Sequence, residues 1–194
     1  MLILIKRRTL IIETMPAFKR LLFALFCLFS SPSFAVNVLG FAIDEKIQLG
    51  ICKVDILHTK SICWVGNPFI YKGSKSGFVH VPDSAARPKW AAFGVYEIDV
   101  DKSQILRAVK VTPGYLYSRD EVISSISHRF GDPTVNKMQR SPMATYTWDS
   151  NELFVQMVCS PECSIRFLSK LEKAAMDSRI LANQRRDAAR PIGP

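Results

Sequence analysis

The sequence predicts an α+β protein: an antiparallel sheet with helices on one face, its halves echoing one another as a duplicated helix-plus-hairpin unit would. Three observations carry this. One segment has complete helix start and stop signals. Two long segments alternate apolar and polar residues about turn residues. An earlier segment repeats the same order in outline.

The chain has 194 residues. "MPAFKRLLFALFCLFSSPSFA" begins at Met15, with Lys19 and Arg20 ahead of a short apolar run from Leu21 to Phe29. Ser30 to Ser33 break that run, and a small residue, Ala35, closes it. This is the order of a secretory signal peptide, with cleavage expected after Ala35 and Met15 as an alternative start. The apolar run is too short for the ~18–20 residues that span a bilayer. Cys27 follows Phe26 inside the run, which argues against a lipid anchor. Removing residues 1–35 takes five of 26 Lys+Arg and one of 17 Asp+Glu, so the formal net charge falls from +9 to +5. The remaining 159 residues suit one domain, 36–169, followed by a basic helical or disordered tail, 170–194. Modest basicity suits an anionic envelope surface, an acidic partner or plain solubility. An exported chain without a basic-aromatic motif does not read as a nucleic-acid binder.

"IQLGICKVDIL" (47–57) has a short polar start and helix-like apolar spacing. "GNPFIYKGSKSGFVHVPDSAARPKW" (66–90) reads as strand pieces around Phe69-Ile70-Tyr71 and Phe78-Val79-His80, then a loop from Pro82 to Pro88. In "YEIDVDKSQILRAVKV", Tyr96, Ile98 and Val100 alternate, a turn follows, and Ile105, Val109 and Val111 return. "SRDEVISSISHRFGDP" (118–133) is the clearest helix. Ser118 caps, Glu121 completes a capping box, and Val122, Ile123, Ile126 and Phe130 form one apolar face. Gly131 and Pro133 end it. In "ATYTWDSNELFVQMVCSPECSIRFLS", Leu153, Val155, Met157 and Cys159 share a face with the returning Cys163, Ile165 and Phe167. From Leu171 onward helix propensity is high but the apolar face is weak, so the helix is expected to be solvated.

Cys27 leaves with the signal, so Cys52, Cys63, Cys159 and Cys163 remain. An even count in an oxidising compartment reads as two disulfides with three possible connectivities. Cys159 and Cys163 flank a three-residue reversal on one sheet face, within reach of the ~4.4–6.8 Å Cα separation a disulfide uses. Cys52–Cys63 would follow by elimination, but an unbroken helix would hold the two about 16 Å apart: either the helix stops near Leu57-His58 and Cys63 folds back, or the pairing differs. A zinc site from Cys52, His58, Cys63 and the CSPEC pair lacks a usual ligand spacing, and a thioredoxin-like pair needs C-x-x-C.

The chemistry-bearing residues form no catalytic motif. His58 and His128 stand near predicted helix ends and His80 lies in a strand. "GSKSG" (73–77) places Lys75 where a nucleophile elbow needs serine. No Walker A, H-E-x-x-H or EF-hand sequence occurs. Glu97, Asp99 and Asp101 share one strand face. Such a trio suits calcium or acid–base work, but it equally suits the solvated side of a half-buried strand. Neither cofactor nor metal is expected. Trp64, Trp90 and Trp148 read as core or recognition residues. Tyr71, Tyr115 and Tyr117 are the candidate binding surface, because aromatics dominate binding hot spots.

The run "IQLGICKVDIL", "YEIDVDKSQILRAVKV", "SRDEVISSISHRFGDPT", "TYTWDSNELFVQM" and "IRFLS" resembles small exported bacterial proteins with tandem helix-plus-hairpin units. These include the beta-lactamase inhibitor protein and the small lipoprotein of the outer-membrane assembly machine. The likeness covers most of the mature chain and lies in pattern, not in a diagnostic motif. It implies a non-catalytic protein binder and names no partner; the acylated cysteine of the lipoproteins has no counterpart here. The expected function is an exported, periplasmic or secreted protein-binding module, an inhibitor or accessory of an unknown envelope protein, with no membrane span. The alternatives are a small-ligand or lipid-binding periplasmic protein, or a hydrolase with an unrecognised site.

Overall fold

Alternation in the sequence becomes one large antiparallel sheet in the structure, a computed structural model that describes residues 36–53, 59–83, 85, 87–137 and 143–188. The predicted signal peptide, His58 and the tail beyond Ala188 lie outside the described residues. A separate hairpin, β1 (Val36–Val38) and β2 (Phe41–Ile43), comes first. The main sheet holds β3 (Cys63–Trp64), β4 (Phe69–Tyr71), β5 (Ser74–His80), β6 (Val95–Val100), β7 (Leu106–Thr112), β8 (Thr134–Lys137), β9 (Ala144–Asp149), β10 (Leu153–Ser160) and β11 (Glu162–Ser169). Its order is β3-β5-β6-β7-β11-β10-β9-β8, with β4 also paired to β5. The order is mirrored about the β7–β11 seam: β5-β6-β7 stands on one side and β9-β10-β11 on the other. The helix expected within 47–57 falls partly on 54–58, outside the described residues. Its described part is not helical, and Ile51 forms a parallel bridge to Trp64.

One face of the sheet, here the inner face, carries the core. Tyr96, Ile98, Val109, Val111, Val155, Met157, Ile165 and Phe167 are all buried on it. The predicted register holds along β10–β11, where Met157 pairs with Ile165 and Cys159 with Cys163. It shifts in the β6–β7 hairpin. An irregularity at Asp99/Val100 sets Leu106 opposite Val100, and Ile105 instead bridges Lys46. The physical reason is the tight turn: the Asp101 N–H donates to Ile105 O, and Asp101 Oδ1 accepts the Ile105 N–H.

Over the inner face lie the β1–β2 hairpin, α1 (Lys89–Ala92) and α2 (Arg119–Phe130), whose Trp90, Val122 and Ile126 join the core. The capping box of α2 forms as predicted. Ser118 Oγ accepts from Glu121 N, and Glu121 returns a carboxylate oxygen to Ser118 N. Those bonds, first the one from the Ser118 backbone, hold the Glu121 carboxyl below its ordinary value. Its contribution is therefore present above the unfolded carboxyl value and lost as pH falls through the folded one. Ser118→Ala is expected to cost about 1 kcal/mol at neutral pH. Urea unfolding repeated at a pH below the folded-state value should show a smaller penalty, since a protonated Glu121 leaves less of the box to lose. An equal penalty at both would show that the carboxylate adds nothing.

The α+β class holds, with α1 and α2 on one face. α3 (Lys170–Ala188), expected as a solvated tail, has no buried residue, and its first turns lie against the outer face. Met176 packs against Ala108, Phe154 and Leu168, and Lys173 Nζ sits 4.6 Å from the centre of the Phe154 ring. The cause is a local break in the alternation: Phe154 and Leu168 are apolar where their strands turn away from the core, and the register sets them side by side.

Candidate apolar interaction surface

The rest of the outer face follows from which residues of β5 point away from the core. Val79 is buried on the inner side, so Ser74, Ser76, Phe78 and His80 face outward. β4 pairs antiparallel with β5, setting Phe69 beside Ser76 and Tyr71 beside Ser74. The Lys72–Gly73 turn that joins them has both residues at positive φ, 50° and 84°, the geometry of a two-residue hairpin. Val65 N donates to Phe78 O at 2.9 Å, which places Val65 next to Phe78. On β6, Val95 shares the outward side with Glu97, the register partner of Phe78.

The result is a continuous exposed apolar band: Tyr71, Phe69, Phe78, Val65, Val95 and, just before β6, Phe93. Phe69 is 70% exposed and Phe93 74%. Diagonal neighbours on adjacent strands lie about 7–8 Å apart, within reach of aromatic rings. Two open hollows follow the band. One of about 530 Å³ runs between the β4 aromatics and α3, over Ser76, Asp99, Arg166 and Arg179. The other, of about 510 Å³, is lined by Val65, Phe78, His80, Phe93 and Val95.

The polar floor beside the band is internally matched. Glu97 pairs with Lys110 at 3.1 Å, and Asp99 accepts from Ser76 Oγ at 2.7 Å and from Arg166 at 2.5 Å. Asp101 accepts from the Ser103 and Ile105 N–H groups and from Arg107, which also pairs with Asp44. Burial pushes the Asp101 carboxyl up, but those hydrogen bonds outweigh it, and the group lies below the ordinary carboxylate range. Burial likewise acts to lower the Arg107 value, and the two carboxylates outweigh it. Glu97 and Asp99 stand on the outward side of β6, Asp101 follows in the turn beyond Val100, and each carboxylate is taken up by a cation.

Tyr71 belongs to the band at 61% exposure, and Tyr115, 97% exposed, lines a hollow with Phe93 and Pro161. Tyr117 is half-buried and packs against the core. Sequence reasoning missed Phe69, Phe78, Phe93 and Val95 as surface residues. The signal was present for Phe78: in a strand whose Val79 faces the core, Phe78 must face out. Trp64, Trp90 and Trp148 are buried, with Trp90 Nε1 donating to Ser125 Oγ at 2.9 Å and Trp148 Nε1 to Ser127 Oγ at 3.1 Å. Both predicted disulfides form. Cys52–Cys63 has a Cα separation of 5.0 Å; Cys159 and Cys163, register partners in the hairpin, lie 3.9 Å apart, below the expected range.

Among the described residues no three His, Cys, Asp or Glu side chains gather as a metal site. His80 Nε2 lies 3.3 Å from Thr59 O, and His128 is exposed on α2. No helix among the described residues is long and apolar enough to cross a membrane. No family model, curated protein or solved structure matches the chain.

Proposed function

We propose that this chain is an exported, non-catalytic protein-binding module that docks an envelope protein against the outer-face band. The observation that carries the reading is the band itself. Large apolar side chains left contiguous on a sheet face are costly in water unless a partner covers them. The adjoining ion pairs fit this role. Already matched, they form a polar rim that a partner need not neutralise, while the aromatics supply the anchors. Two disulfides support export to an oxidising compartment.

The test is capture of partners from envelope extract by the oxidised protein, compared with Phe78→Asp and Phe69→Asp. Val135→Asp, an exposed apolar site on the far edge strand, serves as control. One stoichiometric protein should bind wild type and the control alike. Its affinity should fall at least about tenfold for each band variant, as expected for a hot-spot anchor. Equal capture by all four proteins, or capture by none, would sink the proposal. N-terminal sequencing of the exported protein should begin at Val36.

A further inference from the structure

We infer that the open cavity bounded by the β1–β2 hairpin, α1 and α2 is a binding site for a small amphipathic anion, a carboxylate on a short apolar body. The site lies on the inner side of the sheet; among the described residues Arg87 alone lines both this cavity and the second hollow of the outer-face band.

The cavity measures about 270 Å³. At roughly 30 Å³ per water-sized group it has room for about nine such groups. Its floor is core: Val38, Ile126 and Phe167 are each 3% exposed yet line it. A floor of this kind favours apolar groups over water. Leu39 closes one wall. It sits at φ +55° in the β1–β2 turn, a conformation unfavourable for a bulky side chain, and it is nonetheless buried.

Two guanidinium groups give the cavity its sign. The Arg87 side chain is only 5% exposed. Its Nη2 donates to Pro82 O at 3.1 Å and to Asp83 Oδ1 at 3.2 Å, and its guanidinium carbon lies 5.8 Å from the Tyr96 ring centre. The Asp83 side chain is fully solvated, so it offsets little of the desolvation of a buried cation. Arg129 also lines the cavity; it donates to Asn37 O at 2.7 Å, and its ion-pair partner, Glu152, is 3.7 Å away. Among the described residues no carboxylate lines the cavity. Positive charge over an apolar floor selects an anion with an apolar tail, and the planar guanidinium fork matches a carboxylate.

The experiment titrates the purified, oxidised protein by calorimetry with octanoate, 3-phenylpropanoate, octan-1-ol and inorganic sulfate. At least one of the two carboxylates should bind one-to-one with Kd below about 1 mM. Octan-1-ol should bind at least about tenfold more weakly, and sulfate should show no saturable binding. Arg129→Met lies at the exposed mouth and is not expected to disturb folding. It should weaken carboxylate binding about tenfold and leave octan-1-ol unchanged. Arg87→Lys, checked for folding by circular dichroism, keeps the charge, loses the fork and should weaken binding in the same direction. Phe78→Asp should have no effect, which separates failure here from failure of the docking surface. Silence of both carboxylates, equal binding of octan-1-ol, or indifference to Arg129→Met would overturn the assignment.

Discussion

Trp148→Ala is expected to destabilise the protein by about 4 kcal/mol, the cost of emptying a large buried aromatic site. Trp148 is 1% exposed and sits on β9 opposite Val155, between the sheet and α2. Its indole N–H donates to Ser127 Oγ, so the side chain both fills volume and fastens the helix to the sheet. For a domain of this size each kcal/mol moves the melting midpoint by about 2–4 °C, so a drop of roughly 10 °C is expected. The two contributions are separable. Trp148→Phe keeps most of the ring and loses the hydrogen bond, whereas Ser127→Ala keeps the ring and strands its N–H, at about 1–3 kcal/mol. A double-mutant cycle between Trp148→Phe and Ser127→Ala should return a favourable coupling, because the two groups touch. A midpoint for Trp148→Ala within about 3 °C of wild type would show that this region of the core is not cooperative with the rest.

What the sequence displayed depended on how local the cause was. The α2 boundaries were legible because a capping box and a terminal glycine act within a few residues of one another. The inner faces of β10 and β11 were legible because period-two alternation needs no knowledge of what lies opposite. The β6–β7 register was misread at Ile105: the irregularity there comes from hydrogen bonds within the Asp101 turn, which shift the pairing without changing the alternation. The seat of α3 was missed for a different reason. Its own apolar face is weak, and the surface that receives it is a pair of outward residues, Phe154 and Leu168, that only the register brings together. The exposed band has the same character. Tyr71 was visible as an aromatic near a turn, but Phe69, Phe78, Val65 and Val95 become one surface only when four strands are laid side by side. The Arg87–Arg129 cavity had no sequence signal, since its residues come from β1 and the turn after it, the loop before α1, α1, α2 and β11.

The two disulfides should differ in what they hold. In the chain-entropy picture, closing the loop between Cys52 and Cys63 contributes about 3 kcal/mol, and the shorter loop between Cys159 and Cys163 about 2 kcal/mol. Local structure widens the gap. The hairpin around Cys159–Cys163 is held by eight register pairs and flanked on both sides by other strands, so it retains its geometry when the bond is removed. By contrast β3 has two residues, at the sheet's end. Besides its two register pairs with β5, it is held by the Cys52 N–H donating to Trp64 O and the Trp64 N–H donating to Gly50 O, both 2.9 Å, against the 50–52 segment that the Cys52–Cys63 bond ties to it. Cys52→Ala with Cys63→Ala is therefore expected to lower stability by about 3 kcal/mol and, in the folded protein, to release β3. Trp64, 4% exposed, would then meet solvent, and tryptophan emission should shift to the red with faster amide exchange across 59–65. Val65 would leave its place beside Phe78, so partner capture at that end of the band should weaken as well. Cys159→Ala with Cys163→Ala should cost about 2 kcal/mol or less and leave emission, exchange at 59–65 and capture unchanged. If the second pair of substitutions produced the larger loss or the red shift, the rigid support of the exposed band would have to be sought in the β10–β11 hairpin rather than at β3.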